Sequence, residues 1–330
     1  MSFVWRTAPK VHRQTVASHT EVCSAYCTVK VEEGYTILYI PLPYSQSSNI
    51  CKMNNYKASS YPYTILRQTK NQDEVYPYLR SLNGDKEMWC ISPHHGRSYI
   101  IGRNKEGKYI VSKGNGLSYS QHNFLNTGEL GDDTFGLLLL QDAIRDFNVG
   151  LEVEQLGVKT NHMEYVIQLE HEIALSNGHI LKPILLQYSV ECPFRICDAS
   201  FPEYSSIIKD EINKWEKYNV SGVDKSHLVA ANVLLHNLKV LHTHNILHNA
   251  INAQNYTWAL ELLDFEIACS PTYPYEKEDD DRHVKDYFSR EIVYTYEIIN
   301  YIAHYLNEPI SYQEIDDLFK SYGFDLSSLK

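Results

Sequence analysis

The sequence predicts an α+β fold in two parts, with a β-rich lobe first and a helical lobe second. Three observations carry this reading. Between residues 98 and 189, apart from one stretch of helical period at 134–156, the apolar residues fall in short runs of strand length bounded by turn signals. From about Glu203 onward they recur at helical spacing. Between these regions, Arg195 to Pro202 follows neither period and reads as a connector. The expected organisation is an extension over 1–95 packed on the first lobe, the smaller lobe over 96–198 and the helical lobe over 199–330.

In chain order, residues 1–95 read as irregular apart from a short strand at 35–40, closed by Pro41 and Pro43; residues 44–63, rich in Ser, Asn, Lys and Tyr, read as loop. Residues 98–101 and 108–113 form a hairpin around the 102–107 turn. A helix is expected over 134–156, with Gly157 as its left-handed stop. Strands follow at 163–169 and 183–189, with a short one at 194–196. Helices are expected over 203–218, 224–244 and 282–306. Ser311 and Glu314 form a capping box that opens a last helix over 312–322, stopped by Gly323.

The bulk numbers narrow the function. With 43% apolar and 22% charged residues the chain has the composition of a globular protein, not a disordered one. A net charge of −11 argues against a nucleic-acid partner, which demands a basic footprint, but leaves room for a nucleotide at a local positive site. No apolar run reaches the roughly 18 residues of a membrane span. The seven scattered cysteines support neither a disulfide framework nor a zinc site, and point to a reducing, cytoplasmic setting. The first 20 residues contain bases and no acid, and read as a plain mobile terminus in preference to an organelle transit segment. The acidic run 276–281 reads as a solvated loop.

The chemistry concentrates in residues 241–264. An apolar helical run ends at His244-Asn245; His248 follows, then Asn255 seven positions on, and Asp264-Phe265-Glu266 after the pair Leu262-Leu263. An amide oxygen and a carboxylate at this spacing suit a magnesium ion bound with phosphates. The segment resembles the catalytic and metal loops of protein kinases, H-R-D-x-x-x-x-N followed by D-F-G, with Ala250 where the basic aspartate stands. His248 is expected to be structural. His236, His242 and His244 share no compact metal-binding face.

Lys113 leaves a strand and meets Gly114-Asn115-Gly116. Alone it reads as a surface lysine beside a turn; in a phosphate site it would serve as a point charge. Asp146, on the following helix, reads either as a solvated acid or as the partner of Lys113, with Glu152 and Glu154 as alternatives.

With these residues in place, the chain resembles the selenoprotein O family over roughly residues 96–305. That family has a kinase-like bilobal fold and transfers AMP to proteins. Its K-G-x-G turn corresponds to 113–116, its I-R-E-F helix segment to Ile144-Arg145-Asp146-Phe147, and its L-G-I-P-T segment to residues 156–160. Its H-G-V-M-N-T-D-N segment, followed nine residues later by an aspartate, matches His248, Asn252, Asn255 and Asp264. The departures are Gln254 for the acid before the metal-binding asparagine, Asp146 for glutamate, Pro202 for a second phosphate-gripping arginine, about ten extra residues near 123–133, and no C-terminal selenocysteine or cysteine motif.

The resemblance implies catalytic positions at Lys113, Asp146 and Gln254, nucleotide contacts from Lys113, Gly114, Gly116 and Arg195, and metal ligation by Asn255 and Asp264. ATP and Mg (or Mn) are the implied cofactors, and a protein hydroxyl the implied substrate. Transfer of the γ-phosphate and a catalytically inactive, nucleotide-binding interaction module stand as alternatives.

Overall fold

The computed structural model describes residues 28–32, 35–39, 55–69, 74–81, 83–90, 97–116, 136–174, 180–218, 225–275 and 281–326. The expectations for the first 20 residues, for 123–133 and for 276–280 lie outside these. The chain divides into two units, Met1–Ser47 and Ser48–Lys330. In the first, β1 (Thr28–Glu32) and β2 (Tyr35–Tyr39) pair as an antiparallel hairpin.

The second unit is α+β. Its main sheet has eight antiparallel strands in the order β4-β9-β12-β8-β7-β6-β3-β5. They are β3 (Asn55–Ser60), β4 (Tyr63–Gln68), β5 (Tyr78–Arg80), β6 (Lys86–Cys90), β7 (Ser98–Arg103), β8 (Tyr109–Lys113), β9 (His162–Leu169) and β12 (Ile184–Val190). β10 (Ile173–Ala174) and β11 (Ile180–Leu181) form a small separate pair. Four of the main strands fall within residues read from sequence as irregular or loop. β3 and β4 are polar or exposed along most of their length, so no alternating apolar pattern marks them.

Among the described residues five helices complete the unit: α1 (Leu140–Gln155), α2 (Ser205–Asn213), α3 (Ser226–Thr243), α4 (Asp281–Tyr305) and α5 (Tyr312–Ser321). The helix expected from 134 begins at Leu140; Leu138 is still extended and bridges Ile184. The helix expected over 203–218 is α2 flanked by two short 3₁₀ turns, and the strand expected at 194–196 is a single bridge, Arg195 to Thr257, leading into a 3₁₀ turn. One apolar core runs continuously from β8, β9, β12 and α1 into α2 to α5.

Two glycines fix how α1 lies on the sheet. Gly157 has φ +87°, and the N–H of Val158 reaches back to the Val153 carbonyl at 3.0 Å, a left-handed helix stop. Gly150 lies against Met163 of β9, where a Cβ would come within 2.4 Å of the methionine Cε. A mid-helix glycine costs about 1 kcal/mol relative to alanine, but here it lets helix and strand approach closely. Asp146 lies one turn earlier on the same face, so this approach carries its short side chain toward β8.

Candidate functional site

Lys113 is the last residue of β8, paired with Ser98 of β7 and Leu186 of β12, and its side chain is 2% exposed. Its Nζ donates to Asp146 Oδ2 at 2.9 Å and to Asp264 Oδ1 at 2.7 Å. Glu266 Oε1 lies 2.9 Å away. The aspartate pairs with Lys113 directly, without an intervening water, because Gly150 lets α1 sit close. Of the alternatives, Glu154 is engaged with His162, 2.8 Å from its ring nitrogen. Burial alone would lower the pKa of Lys113, but the three carboxylates more than offset it, and the ammonium is held charged. Burial raises Asp146, against the pull of Lys113. Asp264 is pushed up by burial and pulled down further by Lys113, Arg195 and Arg97, so its net shift is downward.

The turn after Lys113 is a buried packing element. Gly114 and Gly116 have φ of +97° and +101°, and a Cβ on Gly114 would lie 2.4 Å from the Ile184 carbonyl oxygen. The N–H of Gly114 donates to the Arg97 carbonyl at 3.0 Å and that of Gly116 to the Gly136 carbonyl at 3.1 Å. The amides of both glycines are thus bonded within the protein, so the nucleotide contacts expected of them would come from other atoms of the turn.

The second half of the site is the segment after α3. The helix ends at Asn245, φ +56°, with the Ile246 N–H bonded to the Leu241 carbonyl at 2.9 Å. Leu247 and Cys269 then exchange two backbone hydrogen bonds of 2.8 Å and close the loop at its neck. His248, fully buried, donates Nε2–H to the Leu263 carbonyl at 2.8 Å, and its Nδ1 accepts from the Ala250 N–H at 3.2 Å. Burial lowers its pKa, which fits this neutral, structural role. Asn255 donates Nδ2–H to the Ala250 carbonyl at 2.9 Å, and its carbonyl accepts from the Leu263 N–H at 2.8 Å. These bonds bring Asn255 alongside the approach to Asp264.

Asp264 has φ +75°, a left-handed conformation that costs a non-glycine residue about 1–3 kcal/mol. The conformation is over-determined. The Asp264 carboxylate is held by Lys113, and the next N–H, that of Phe265, donates to Asp146 Oδ1 at 2.9 Å. Phe265 is buried against the His248 ring, 5.0 Å between centroids. Arg195 is also buried, and its Nη1 donates to the Gln254 carbonyl at 2.6 Å and to Asn255 Oδ1 at 3.1 Å. Gln254 contributes that carbonyl, while its side chain is exposed.

The eight expected site residues thus gather in two adjoining groups. Lys113, Asp146 and Asp264 form one, with Gly114 and Gly116 behind it; Arg195, Gln254 and Asn255 form the other. Two residues were missed. Glu266 follows Asp264-Phe265 at the position where the kinase pattern has glycine, and that substitution was its signal. Arg97 donates Nη2–H to Glu266 Oε2 at 2.7 Å; it immediately precedes Ser98, the β7 residue that pairs with Lys113. Among the described residues, Asp146, Asp264 and Glu266 are the one set of three metal-ligating side chains whose donor atoms lie within 4.8 Å of one another.

No known family's sequence model matches the chain, and no curated protein does. Among solved structures, the chain is similar to the kinase domain of a Toxoplasma gondii specific rhoptry antigen, with a TM-score of 0.35 and 10% identity, covering 83% of this chain and 76% of that one. The likeness is weak and transfers no residue role. No helix among the described residues is long and apolar enough to cross a membrane.

Proposed function

We propose that this chain is a bilobal, kinase-like protein of the selenoprotein O type that binds Mg–ATP and transfers AMP to a protein hydroxyl in a reducing, cytoplasmic setting. The observation that carries the nucleotide reading is the meeting of Lys113, Asp146 and Asp264, distant in sequence, within 2.9 Å contacts in a buried cluster beside Arg195 and Asn255. The choice of AMP over phosphate rests on the family resemblance.

The donor set fits magnesium, which takes oxygen ligands. Asp264 is 24% exposed and keeps a carboxylate oxygen beyond the one on Lys113. The amide oxygen of Asn255 has a second lone pair beyond the one engaged by Arg195. When bound, magnesium would neutralise phosphate charge and favour departure of the leaving group. Lys113 and Arg195 would add fixed positive charge, Asp146 would orient Lys113, and His248 would hold the loop in register. In the reaction the hydroxyl oxygen forms a bond to the α-phosphorus, and the α–β bridging oxygen leaves with pyrophosphate. No carboxylate lies between His248 and Asn255, so the hydroxyl proton passes to solvent or to a phosphate oxygen. A general base contributes about 10²–10⁴-fold, so the reaction is slow without one.

A second reading, a nucleotide-binding interaction module without turnover, is favoured by Ala250 at the base position and by the three carboxylates crowding Lys113. Incubating the chain and candidate acceptor proteins with ATP labelled separately at the α and γ positions distinguishes the readings. Covalent α-label is the expected result, increased by Gln254→Asp. Covalent γ-label makes the protein a kinase. Nucleotide binding without either label, and without rescue by Gln254→Asp, leaves the interaction module.

A further inference from the structure

Glu266 turns its carboxylate back onto Lys113. Oε1 lies 2.9 Å from Nζ, Oε2 accepts from Arg97 at 2.7 Å, and the side chain is 9% exposed. An ammonium has three donors, and Lys113 has three carboxylate neighbours at 2.7–2.9 Å. Two of them have other work: Asp146 holds the Phe265 N–H, and Asp264 is the candidate metal ligand. Glu266 takes the remaining direction. Its contact with Lys113 is one of charge without good hydrogen-bond alignment, since Oε1 is buried yet makes no hydrogen bond. It is the weakest-aimed of the three.

The backbone around Glu266 is fixed. Phe265 N–H is bonded to Asp146, the Ala268 N–H returns to the Phe265 carbonyl at 3.1 Å, and the Ile267 carbonyl accepts from Asn249 at 2.8 Å. A rotation of the Glu266 side chain would take its carboxylate off Lys113 and leave these backbone bonds in place.

We propose that Glu266 is an internal stand-in for a nucleotide phosphate. Its carboxylate occupies the place on Lys113 and Arg97 that phosphate oxygens take, and binding exchanges one anion for the other. The proposal rests on the nucleotide reading above and deepens it. It makes Arg97 a phosphate-contacting residue and a polyphosphate the favoured ligand class, because a more highly charged group displaces a single carboxylate more readily. It also makes the affinity of the parent chain lower than the pocket alone would give, since only the fraction with Glu266 displaced is competent to bind.

The test is calorimetric titration of the full chain and of Glu266→Gln with Mg–ATP, magnesium tripolyphosphate and adenosine. Gln keeps the shape and removes the charge. Binding of Mg–ATP and of tripolyphosphate should tighten by about tenfold or more, adenosine should gain nothing, and Lys113→Met should cancel the gain. Glu266→Asp, which draws the carboxylate back by one methylene, should give an intermediate gain, and it carries the test if Glu266→Gln does not fold. Equal Mg–ATP affinity in parent and variants overturns the stand-in role and leaves the nucleotide reading intact. An equal gain for adenosine also overturns it, because the effect is then not at the phosphates. No binding of Mg–ATP or tripolyphosphate by any of these proteins overturns both.

Discussion

Around Lys113, an ammonium, three carboxylates and the Arg97 guanidinium are packed together with little water access. Around His248 and Asn255, position is set mainly by bonds between a ring nitrogen, an amide and main-chain groups, to which the Arg195 guanidinium adds charged donors on the Asn255 amide oxygen and the Gln254 carbonyl. The first group depends on charge balance, and removing any member leaves others uncompensated in a medium that solvates them poorly. The second depends more on geometry than on charge. The difference suits the proposed task. The loop holds Asn255 through its side-chain bond to Ala250 and its main-chain bond to Leu263, and the charged cluster responds to what binds.

The sharpest way to break this contrast is to remove one member from each side. Lys113→Met should destabilise the fold by about 3–5 kcal/mol, as expected when a buried ion pair loses one partner. Asn255→Ala should cost about 1–2 kcal/mol, the scale of an amide hydrogen bond whose carbonyl partner is left behind. Equal losses in urea unfolding would erase the distinction. Next in size, Gly114→Ala should cost about 2–4 kcal/mol, because the residue has φ +97° and its Cβ would meet the Ile184 carbonyl at 2.4 Å. Full-strength folding of that variant would show that the turn accommodates a Cβ at this position.

A pH titration sharpens the comparison further. Glu261 is buried and accepts from the Glu191 N–H at 2.9 Å and from Thr257 Oγ1 at 3.1 Å. Burial raises its pKa from 4.5 to about 7, against the pull of Lys159. Between those values the folded chain keeps a proton that the unfolded chain has lost, so this residue's contribution to stability declines as pH rises through the window and levels off above it. The expected amplitude is on the order of 3 kcal/mol. Unfolding measured from pH 4.5 to 8 should show this decline, and Glu261→Gln should flatten it. An unchanged slope in the variant would assign the titration elsewhere.

Much of this was legible in the sequence, and what was not has identifiable causes. The β7–β8 hairpin, strands β9 and β12 and helices α3 to α5 carry clear periods and stop signals, such as the Ser311 hydroxyl that accepts from the Glu314 N–H. Strands β3 to β6 carry none: Tyr63 and Ile65 of β4 are each 40% exposed, so their apolar character marks no buried face. Asn255 and Asp264 were singled out by their spacing along the chain, and Lys113 and Asp146 by the likeness of their surroundings to the kinase pattern and to the resembled family. Glu266 meets Lys113, and Arg97 meets Glu266, only through tertiary packing, and the bonding of the Gly114 and Gly116 amides depends on Arg97 and Gly136, which no local pattern connects to them.

The most direct test of the central claim is a calorimetric titration of the parent chain and of Asp264→Ala with ATP, with and without magnesium. The account predicts magnesium-dependent binding by the parent chain and its loss in Asp264→Ala, with the variant still folded by circular dichroism. Equal affinity in the two proteins, or binding indifferent to magnesium, would contradict it.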